Sequence, residues 1–441
     1  MTVNQRTLLT ALITSALSTS VSAYELKNGD TSLGSLTGKV QIHTIQADAG
    51  NGYDPSEGDS YLLKLKYLSP DMNGFKVGIG SYTNGNLFNS TDFTGLNPQK
   101  ERVARGMFVT PDGASKTVIG EAYIDYNSEK FSATAGRQLF KTPLTKIAAS
   151  QIPNFYQAYG VETTALEDFK LGLHYIDKMS FGSRAMTDWA LIGEGTNSAG
   201  AAIKTVDLSP NPGPGQAEFI DIEDTVPGAN DSNGITAFNA NYNGIKGLKL
   251  GLSNFYVDDI ANNFYLQADK VYPIKDYKLA LSAQYLHQNE VGDYSDLDFD
   301  LFGLKATLKG KGWAVFGAYN HSDGDTAMLN AWGSDPAYTS SIFSRNAYRE
   351  NVDAFKIGFK YKIMKGLTFV ASHADYGKSD TTVGGIPGIG RCAPVPTPCV
   401  AANDATETDL VLIYKPAKEW MVKAFYADRK SEYDDSSSRD L

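Results

Sequence analysis

The chain of 441 residues is rich in aromatic residues, with 25 Tyr and 21 Phe, and it also has 42 Gly but only 2 Cys. Its mean hydropathy is nevertheless only -0.28. Its net charge of -10 comes from acidic and basic residues that are interspersed along the chain, which excludes a basic nucleic-acid-binding surface. After the first two dozen residues no stretch reaches the roughly 18 to 20 apolar residues of a membrane-spanning helix, so a helical membrane protein is excluded as well.

The first residues have the pattern of an export signal. Arg6 supplies a positive start, residues 8–21 form an apolar stretch, and Val21-Ser22-Ala23 provides the small residues of a cleavage site. We therefore predict a cleaved signal peptide over residues 1–23 and a mature chain that begins at Tyr24. Export places residues 24–441 in an oxidising compartment outside the cytoplasm.

The rest of the sequence consists of runs of about 9 to 11 residues in which apolar and polar positions alternate, as in a strand with two unlike faces. In residues 60–68, Leu63 and Leu65 share one face, while Lys64 and Lys66 share the other. Such strands fit either a soluble sandwich or a membrane barrel whose polar face lines a watery lumen. Seventeen strands are predicted, at residues 37–47, 60–68, 74–83, 117–126, 130–140, 155–163, 168–178, 234–243, 247–257, 262–271, 277–288, 298–308, 312–321, 353–362, 366–376, 407–415 and 419–428.

The lengths of the connections separate these two folds. Even-numbered connections are short and carry turn residues such as Asn73-Gly74 and Lys365-Gly366, whereas every long insertion falls at an odd-numbered connection. The long insertions are residues 84–116, 141–154, 179–233, 322–352 and 377–406. Outer-membrane barrels have this layout, with long external loops and short periplasmic turns. We therefore predict an all-β fold, a transmembrane antiparallel up-and-down β-barrel.

The number of strands follows from closure. An odd number would bring the first and last strands together in parallel or leave an unpaired edge in lipid, so bacterial single-chain barrels have an even number. We expect 18 strands, with 17 present in this sequence and the last one missing after residue 441. The alternative is that one strand has been wrongly split in two or two strands wrongly merged, so that the number seventeen is itself in error.

Charged residues on the polar faces are candidates for the pore lining, because a porin selects solutes by the width and charge of a constriction. We predict that residues 141–154 form a constriction loop with Lys141 and Lys146 facing the pore, and an ordinary surface loop is the alternative. A lysine facing lipid at mid-depth would cost about 2 to 4 kcal/mol, which favours the lumen. The candidate residues on strands are Lys64, Lys66, Lys76, Glu121, Asp125, Lys356 and Lys360, and the same alternation adds Lys39, Lys170, Lys249, Lys305 and Glu162.

The excess of lysine predicts a preference for anionic organic solutes. The alternative is that single lysines lie near the periplasmic rim or pair with neighbouring acids.

The remaining reactive residue types give no sign of catalysis. Cys392 and Cys399 lie in the last long loop of an exported chain, which predicts a local disulfide, with a free or intermolecular thiol as the alternative. The five His residues fall on separate strands without metal-ligand spacing, and the Ser-Asn-Gly stretch at residues 232–234 lacks the His of an outer-membrane phospholipase. We therefore predict no enzyme activity, no metal and no cofactor.

Short segments between residues 66 and 184 form a recognisable series. They are Lys66-Tyr67-Leu68-Ser69-Pro70, Gly74-Phe75-Lys76-Val77-Gly78, Gly120-Glu121-Ala122-Tyr123, Ala135-Gly136-Arg137-Gln138, Thr142-Pro143, Ile152-Pro153-Asn154 and Tyr175-Ile176-Asp177-Lys178. In this order they resemble the OprD-like outer-membrane porin superfamily of proteobacteria. Members commonly carry an acid and an Arg where this chain has Ala149-Ser150-Gln151. The resemblance implies an 18-stranded barrel, narrowed by inward-folded loops, with basic residues that guide carboxylate-bearing nutrients.

The sequence as a whole predicts a bacterial outer-membrane porin, a passive diffusion channel for small hydrophilic solutes with a preference for carboxylate-bearing nutrients. Its expected partners are these solutes together with outer-membrane lipid and lipopolysaccharide, and a homotrimer is one oligomeric state open to it. An energy-coupled receptor is excluded, because only residues 24–36 precede the first strand where a receptor carries a plug domain. The alternative function is a barrel-anchored adhesin or structural protein that uses the loops at 179–233 and 322–352.

Overall fold

The fold is that of a computed structural model, which describes residues 14–47, 56–88, 107–110, 113–145, 151–183, 192–196, 202–206, 217–226, 229, 231–292, 294, 297–333, 335–342, 344, 346–347, 349–378 and 404–431. Within these residues the regular elements are β-strands and one short 3-10 turn, Glu223–Thr225. No helix in the described part of the chain is long and apolar enough to cross a membrane.

The strands in the described residues number 21. In chain order they are β1 (Thr14–Asn28), β2 (Thr31–Ala47), β3 (Ser56–Leu68), β4 (Phe75–Asn86), β5 (Lys116–Asn127), β6 (Phe131–Gln138), β7 (Phe155–Thr163), β8 (Phe169–Ser180), β9 (Ile192–Thr196), β10 (Ala202–Val206), β11 (Ile220–Asp221), β12 (Ile235–Tyr242), β13 (Leu248–Val257), β14 (Ala261–Ile274), β15 (Tyr277–Glu290), β16 (Asp298–Gly310), β17 (Trp313–Asp323), β18 (Val352–Met364), β19 (Leu367–Tyr376), β20 (Ala405–Tyr414) and β21 (Trp420–Ser431).

Eighteen of these strands close into one antiparallel barrel. β8 pairs with β12 across the loop that contains β9 to β11, and β1 pairs with both β2 and β21. β9 and β10 form a separate hairpin, and β11 adds two residue pairs to β8. The seventeen strands predicted from alternation correspond to β2–β8 and β12–β21, so the predicted 18-stranded antiparallel barrel is confirmed.

The two faces of the barrel differ as the alternation predicts. On β3, Leu63 and Leu65 are about half exposed on the outer face, whereas the alternate residues Lys64 and Lys66 point inward to Glu121 of β5. Exposed apolar side chains of this kind cover the outside of the barrel, for example Ile79 and Ile357. Such a surface suits the hydrocarbon of a bilayer, and the inner face is left for polar side chains.

The space inside the barrel is partly filled by a hydrophobic core. Buried residues from three connecting segments, including Leu144, Ile222 and Trp332, pack together with inward-facing strand residues such as Tyr156 and Phe255. These strand residues belong to the wall from β7 to β16. The core therefore narrows the lumen from one side.

The expectation of seventeen strands within the chain, with the last one missing, is wrong by one strand. β1 lies between β2 and β21, and its residues 14–19 pair with residues 420–425 of β21. Sequence analysis misses β1 because it assigns residues 1–23 to an export signal, and an apolar signal stretch has no strand alternation. Pairing on both edges of β1 satisfies backbone groups that would cost several kcal/mol each if left open in lipid.

The strand and the predicted export signal share residues 14–23. Cleavage after Ala23, which stays a prediction, would leave residues 24–28 paired with β2. It would also remove every residue that pairs with β21. The closure of the barrel in the full chain therefore depends on the segment that export is predicted to remove.

This closure is tested by a disulfide between Ser18→Cys and Met421→Cys in the full chain refolded into detergent. The two positions are direct partners in the β1–β21 ladder, where opposite Cβ atoms lie about 4.5 to 5.5 Å apart. We expect oxidation to link them, as seen by a mobility shift of the denatured protein, and no link between Ser18→Cys and Gln284→Cys on the distant strand β15. A chain that begins at Tyr24 is expected to lose the compact, heat-modifiable barrel form, and a compact barrel from that chain would contradict the role of β1.

Candidate functional site

A cluster of lysines lines the lumen on β2 and β3. Lys64 and Lys66 both form ion pairs with Glu121 of β5, with a distance of 3.1 Å from Lys64 Nζ to Glu121 Oε1. The hydroxyl of Tyr82 donates to the same carboxylate at 2.6 Å. Lys39 lies directly opposite Lys64 across the β2–β3 ladder. We call Lys39, Lys64, Lys66 and Glu121 the lysine cluster, which carries three positive charges and one negative charge.

Two glycines of β4 allow Glu121 to reach β3, which is two strands away. Gly80 is the direct partner of Glu121 on β4, and a Cβ there would lie 3.2 Å from the Glu121 Cβ. Gly78 leaves similar space for the ring of Tyr123, which lies under the ammonium of Lys66 at 5.1 Å from the ring centroid. A side chain at Gly80 would crowd Glu121, and one at Gly78 would overlap the ring of Tyr123. A bulge at Gly80 and Ser81, which leaves Gly120 without a partner, also sets the direction of Glu121.

The other candidate residues near the turn end of the barrel are peripheral to this cluster. Lys76 lies 3.6 Å from Asp71 of the adjoining turn, and Asp125 accepts a hydrogen bond from Thr134 at 2.8 Å. Lys360 is exposed near the same end of β18. The structure therefore brings together Lys64, Lys66 and Glu121 of the predicted set and leaves these three apart from them.

Lys356 is a structural anchor in the lumen rather than a free charge. Its ammonium donates to the carbonyl of Ser340 at 2.8 Å and to the hydroxyl of Ser341 at 2.9 Å, and it lies 3.7 Å from Asp409 of β20. Tyr376 of β19 donates to the carbonyl of Thr339 in the same loop at 2.6 Å. These contacts fasten the β17–β18 loop, residues 324–351, onto the inner wall.

The predicted constriction loop between β6 and β7 is folded into the barrel. Gln151 accepts hydrogen bonds from Ser60 of β3 at 2.7 Å and from Asn84 of β4 at 3.1 Å. Leu144 and Thr145 are buried, while Lys141 is exposed toward a lumenal cavity. The described part of the loop thus contacts β3 and β4 on the inner face of the barrel, next to its own base at β6 and β7. Lys146, Cys392 and Cys399 lie outside the described residues.

The β17–β18 loop locks onto this constriction loop, a contact that sequence analysis does not predict. Asn330 donates to the carbonyl of Leu144 at 2.9 Å, and the carbonyl of Trp332 accepts a bond from the hydroxyl of Tyr156. The indole of Trp332 is fully buried and donates to Thr225 at 3.0 Å. A Cβ at Gly333 would lie only 1.7 Å from the carbonyl oxygen of Leu144, so the loops approach at a position that only glycine fits.

The comparisons with known proteins agree with this architecture. A family model described as outer membrane porin, OprD family, matches residues 133–382. A comparison with curated protein sequences finds no match.

Solved structures with a similar fold come from Acinetobacter baumannii and Pseudomonas aeruginosa. OccAB4 of Acinetobacter baumannii superposes with a TM-score of 0.60 at 13% identity, covering 97% of this chain and 100% of that chain. OpdK of Pseudomonas aeruginosa, solved with vanillate, gives 0.61 at 10% identity and covers 96% and 98%. OccK9 (OpdG) of the same species gives 0.61 at 13% identity and covers 96% and 97%.

The role of the contacts between the constriction loop and the β17–β18 loop is tested by Trp332→Ala. Loss of a fully buried Trp is expected to cost about 3 to 5 kcal/mol locally and to release both loops from each other, so single-channel conductance should rise. Trp420→Ala is the matched control, since Trp420 is 46% exposed on the outer face and its loss should leave conductance unchanged. A folded Trp332→Ala barrel with the conductance of the parent would show that these contacts do not set the aperture.

Proposed function

Because this chain belongs to the OprD family of outer membrane porins and is therefore an outer-membrane channel, we propose that it prefers small hydrophilic solutes that carry a carboxylate. The observation that carries the proposal is the lysine cluster. Lys39, Lys64 and Lys66 lie on adjacent strands, and among the described residues Glu121 is the acid that forms ion pairs with the last two. A wall with surplus positive charge in a narrow channel raises the local concentration of anions.

The partial neutralisation by Glu121 suits transport better than an unpaired lysine row would. Ion pairs to one carboxylate hold Lys64 and Lys66 against the wall, so their ammonium groups do not swing into the channel. A solute carboxylate then meets a net positive surface that is already partly paired. Conduction requires binding that is strong enough to admit a solute and weak enough to release it.

The long loops offer little to the adhesin alternative. In the described residues the constriction loop and the β17–β18 loop turn inward and bind the lumenal wall, through contacts such as Gln151 with Ser60 and Lys356 with Ser340. Loops that fold into the lumen determine the width of a channel, whereas an adhesin would need loops that extend outward. The vanillate in the OpdK structure is itself a carboxylate, in keeping with the proposed solute class.

Membership of the family gives the location of the barrel but not its export signal or its oligomeric state. The barrel belongs in the bacterial outer membrane, and we propose that residues 1–23 direct its export. Lipopolysaccharide contact and a homotrimer stay predictions.

Two substitutions of opposite sign test the selectivity. Replacing both Lys64 and Lys66 by Gln leaves Glu121 uncompensated, and the reversal potential in a salt gradient should shift toward cations. Glu121→Gln removes the only negative charge of the cluster and should shift it toward anions. One charge at short range in water is worth about 1 kcal/mol, or roughly fivefold in the permeability ratio at low salt.

Lys360→Gln serves as the control for a general charge effect, because Lys360 lies away from the cluster near the turn end. We expect a smaller shift from it. Shifts of the same sign from the double lysine variant and from Glu121→Gln would overturn the proposal.

A further inference from the structure

A second polar space lies in the lumen, away from the lysine cluster. It is a cavity of about 500 Å³ beside residues 140–143, where the constriction loop begins, and its walls are β7, β8 and β12 to β14. Lys170, Asn241 and Lys249 in its lining lie close to the short turns. The cavity therefore lies on the turn side of the constriction, on a different wall from β2 and β3.

The hydrogen bonds within its wall use up oxygen acceptors. Ser253 donates to the Asn239 Oδ1 at 2.7 Å, and Tyr265 donates to the Gln267 Oε1 at 3.1 Å. Asp269 accepts from Gln267 at 2.8 Å and from Ser282. Each of these bonds occupies a side-chain oxygen of the wall with a donor from the wall itself.

Four further donor groups of the same wall have no hydrogen-bond partner among the described residues. They are the amide groups of Asn239 and Asn241 and the ammonium groups of Lys141 and Lys249, all in the cavity lining. The remaining lysine, Lys170, is paired with Glu162 at 2.8 Å. With Lys141, Lys170 and Lys249 against Glu162 and Asp269, the lining has one more positive charge than negative charges. The cavity therefore matches a solute that is anionic and rich in acceptor oxygens.

A buried histidine provides a second indication of a ligand. His174 lines the cavity and is 7% exposed, and its Nδ1 has no hydrogen-bond partner in the described structure. The ring is held in place by Phe140 of the constriction loop, with 4.7 Å between ring centroids. It lies over Gly160, where a Cβ would come within 1.9 Å of the ring. A fixed, buried polar atom without a partner is rare in folded proteins and points to a polar group that completes it.

We propose that this cavity is a second binding station for carboxylates that also carry hydroxyl or carbonyl oxygens, such as hydroxy acids. The inference rests on the proposed function and adds a solute class to it. Lys249 and Lys141 attract the carboxylate, while Asn239 and Asn241 donate to the further oxygens. A carboxylate with a plain alkyl chain satisfies the lysines but leaves the amide donors without a partner, so it binds more weakly.

The test compares two six-carbon monocarboxylates in single-channel recordings of the full chain. Sodium gluconate carries hydroxyl groups along its chain, and sodium hexanoate carries none. Each is added from the side of the short turns, and the duration of the current blockades is measured. We expect gluconate blockades to be roughly fivefold longer than those of hexanoate, as one or two net hydrogen bonds would give.

Substitutions locate the effect. Asn241→Leu should shorten gluconate blockades to the length of hexanoate blockades, and Lys249→Met should shorten the blockades of both solutes. Asn254→Leu is the matched control, because Asn254 lies on the alternate face of β13 and bonds to Asn262. Asn254→Leu should leave the blockade durations of both solutes unchanged. The double variant of Lys64 and Lys66 should leave the ratio of the gluconate to the hexanoate duration unchanged.

The outcomes separate the two proposals. Equal blockades by gluconate and hexanoate in a channel that still prefers anions would overturn the station and leave the proposed function standing. A channel without anion preference would overturn the proposed function. If Asn254→Leu shortens gluconate blockades as much as Asn241→Leu does, the station is not in this cavity.

Discussion

The requirement that every backbone N–H and C=O group in the membrane has a partner within the protein determines this structure. Hydrocarbon offers no hydrogen bonds, and each open group costs several kcal/mol, so a sheet in lipid must close on itself. The eighteen barrel strands meet this requirement, since each of them pairs with a neighbour on both sides. Closure fixes an antiparallel order and an even strand number, and the period of two then gives each strand one face for lipid and one for the lumen.

This division lets the lumen change without changing the barrel. The outer face needs only apolar side chains such as Leu63 and Ile357, and this holds for any residues at the alternate, inward-facing positions. The inner face is free to carry the lysine cluster on one wall and a hydrophobic core on another. The core packs parts of the constriction loop and the β17–β18 loop against β7 to β16, while the lysine cluster lies on β2, β3 and β5. Selectivity and closure are therefore governed by alternate residues of the same strands.

Sequence alone predicts what depends on local periodicity. Alternation gives seventeen of the strands and the inward direction of Lys64 and Lys66, because a residue's face follows from its neighbours in the same strand. It does not show that both lysines meet Glu121, since that contact depends on a bulge and on the register of two ladders. The contact of Asn330 with Leu144 spans 186 residues and has no periodic signal at all. β1 escapes prediction for a different reason, because its residues also form an export signal.

Glycine on the inner face explains how functional groups meet in such a wall. Neighbouring strands lie about 4.8 Å apart, so side chains that stand straight up from strands two apart would not meet at hydrogen-bond distance. Gly80 removes the obstacle between β3 and β5, and Glu121 leans across it to two lysines. Gly160 leaves room on β7 for the ring of its direct partner His174, which also contacts Phe140. At Gly80 the missing side chain brings polar atoms of β3 and β5 into one site, and at Gly160 it leaves room for a buried ring. Inward glycines of a barrel strand therefore affect both the shape of the channel and the position of charged side chains, because neighbouring side chains occupy the space they leave.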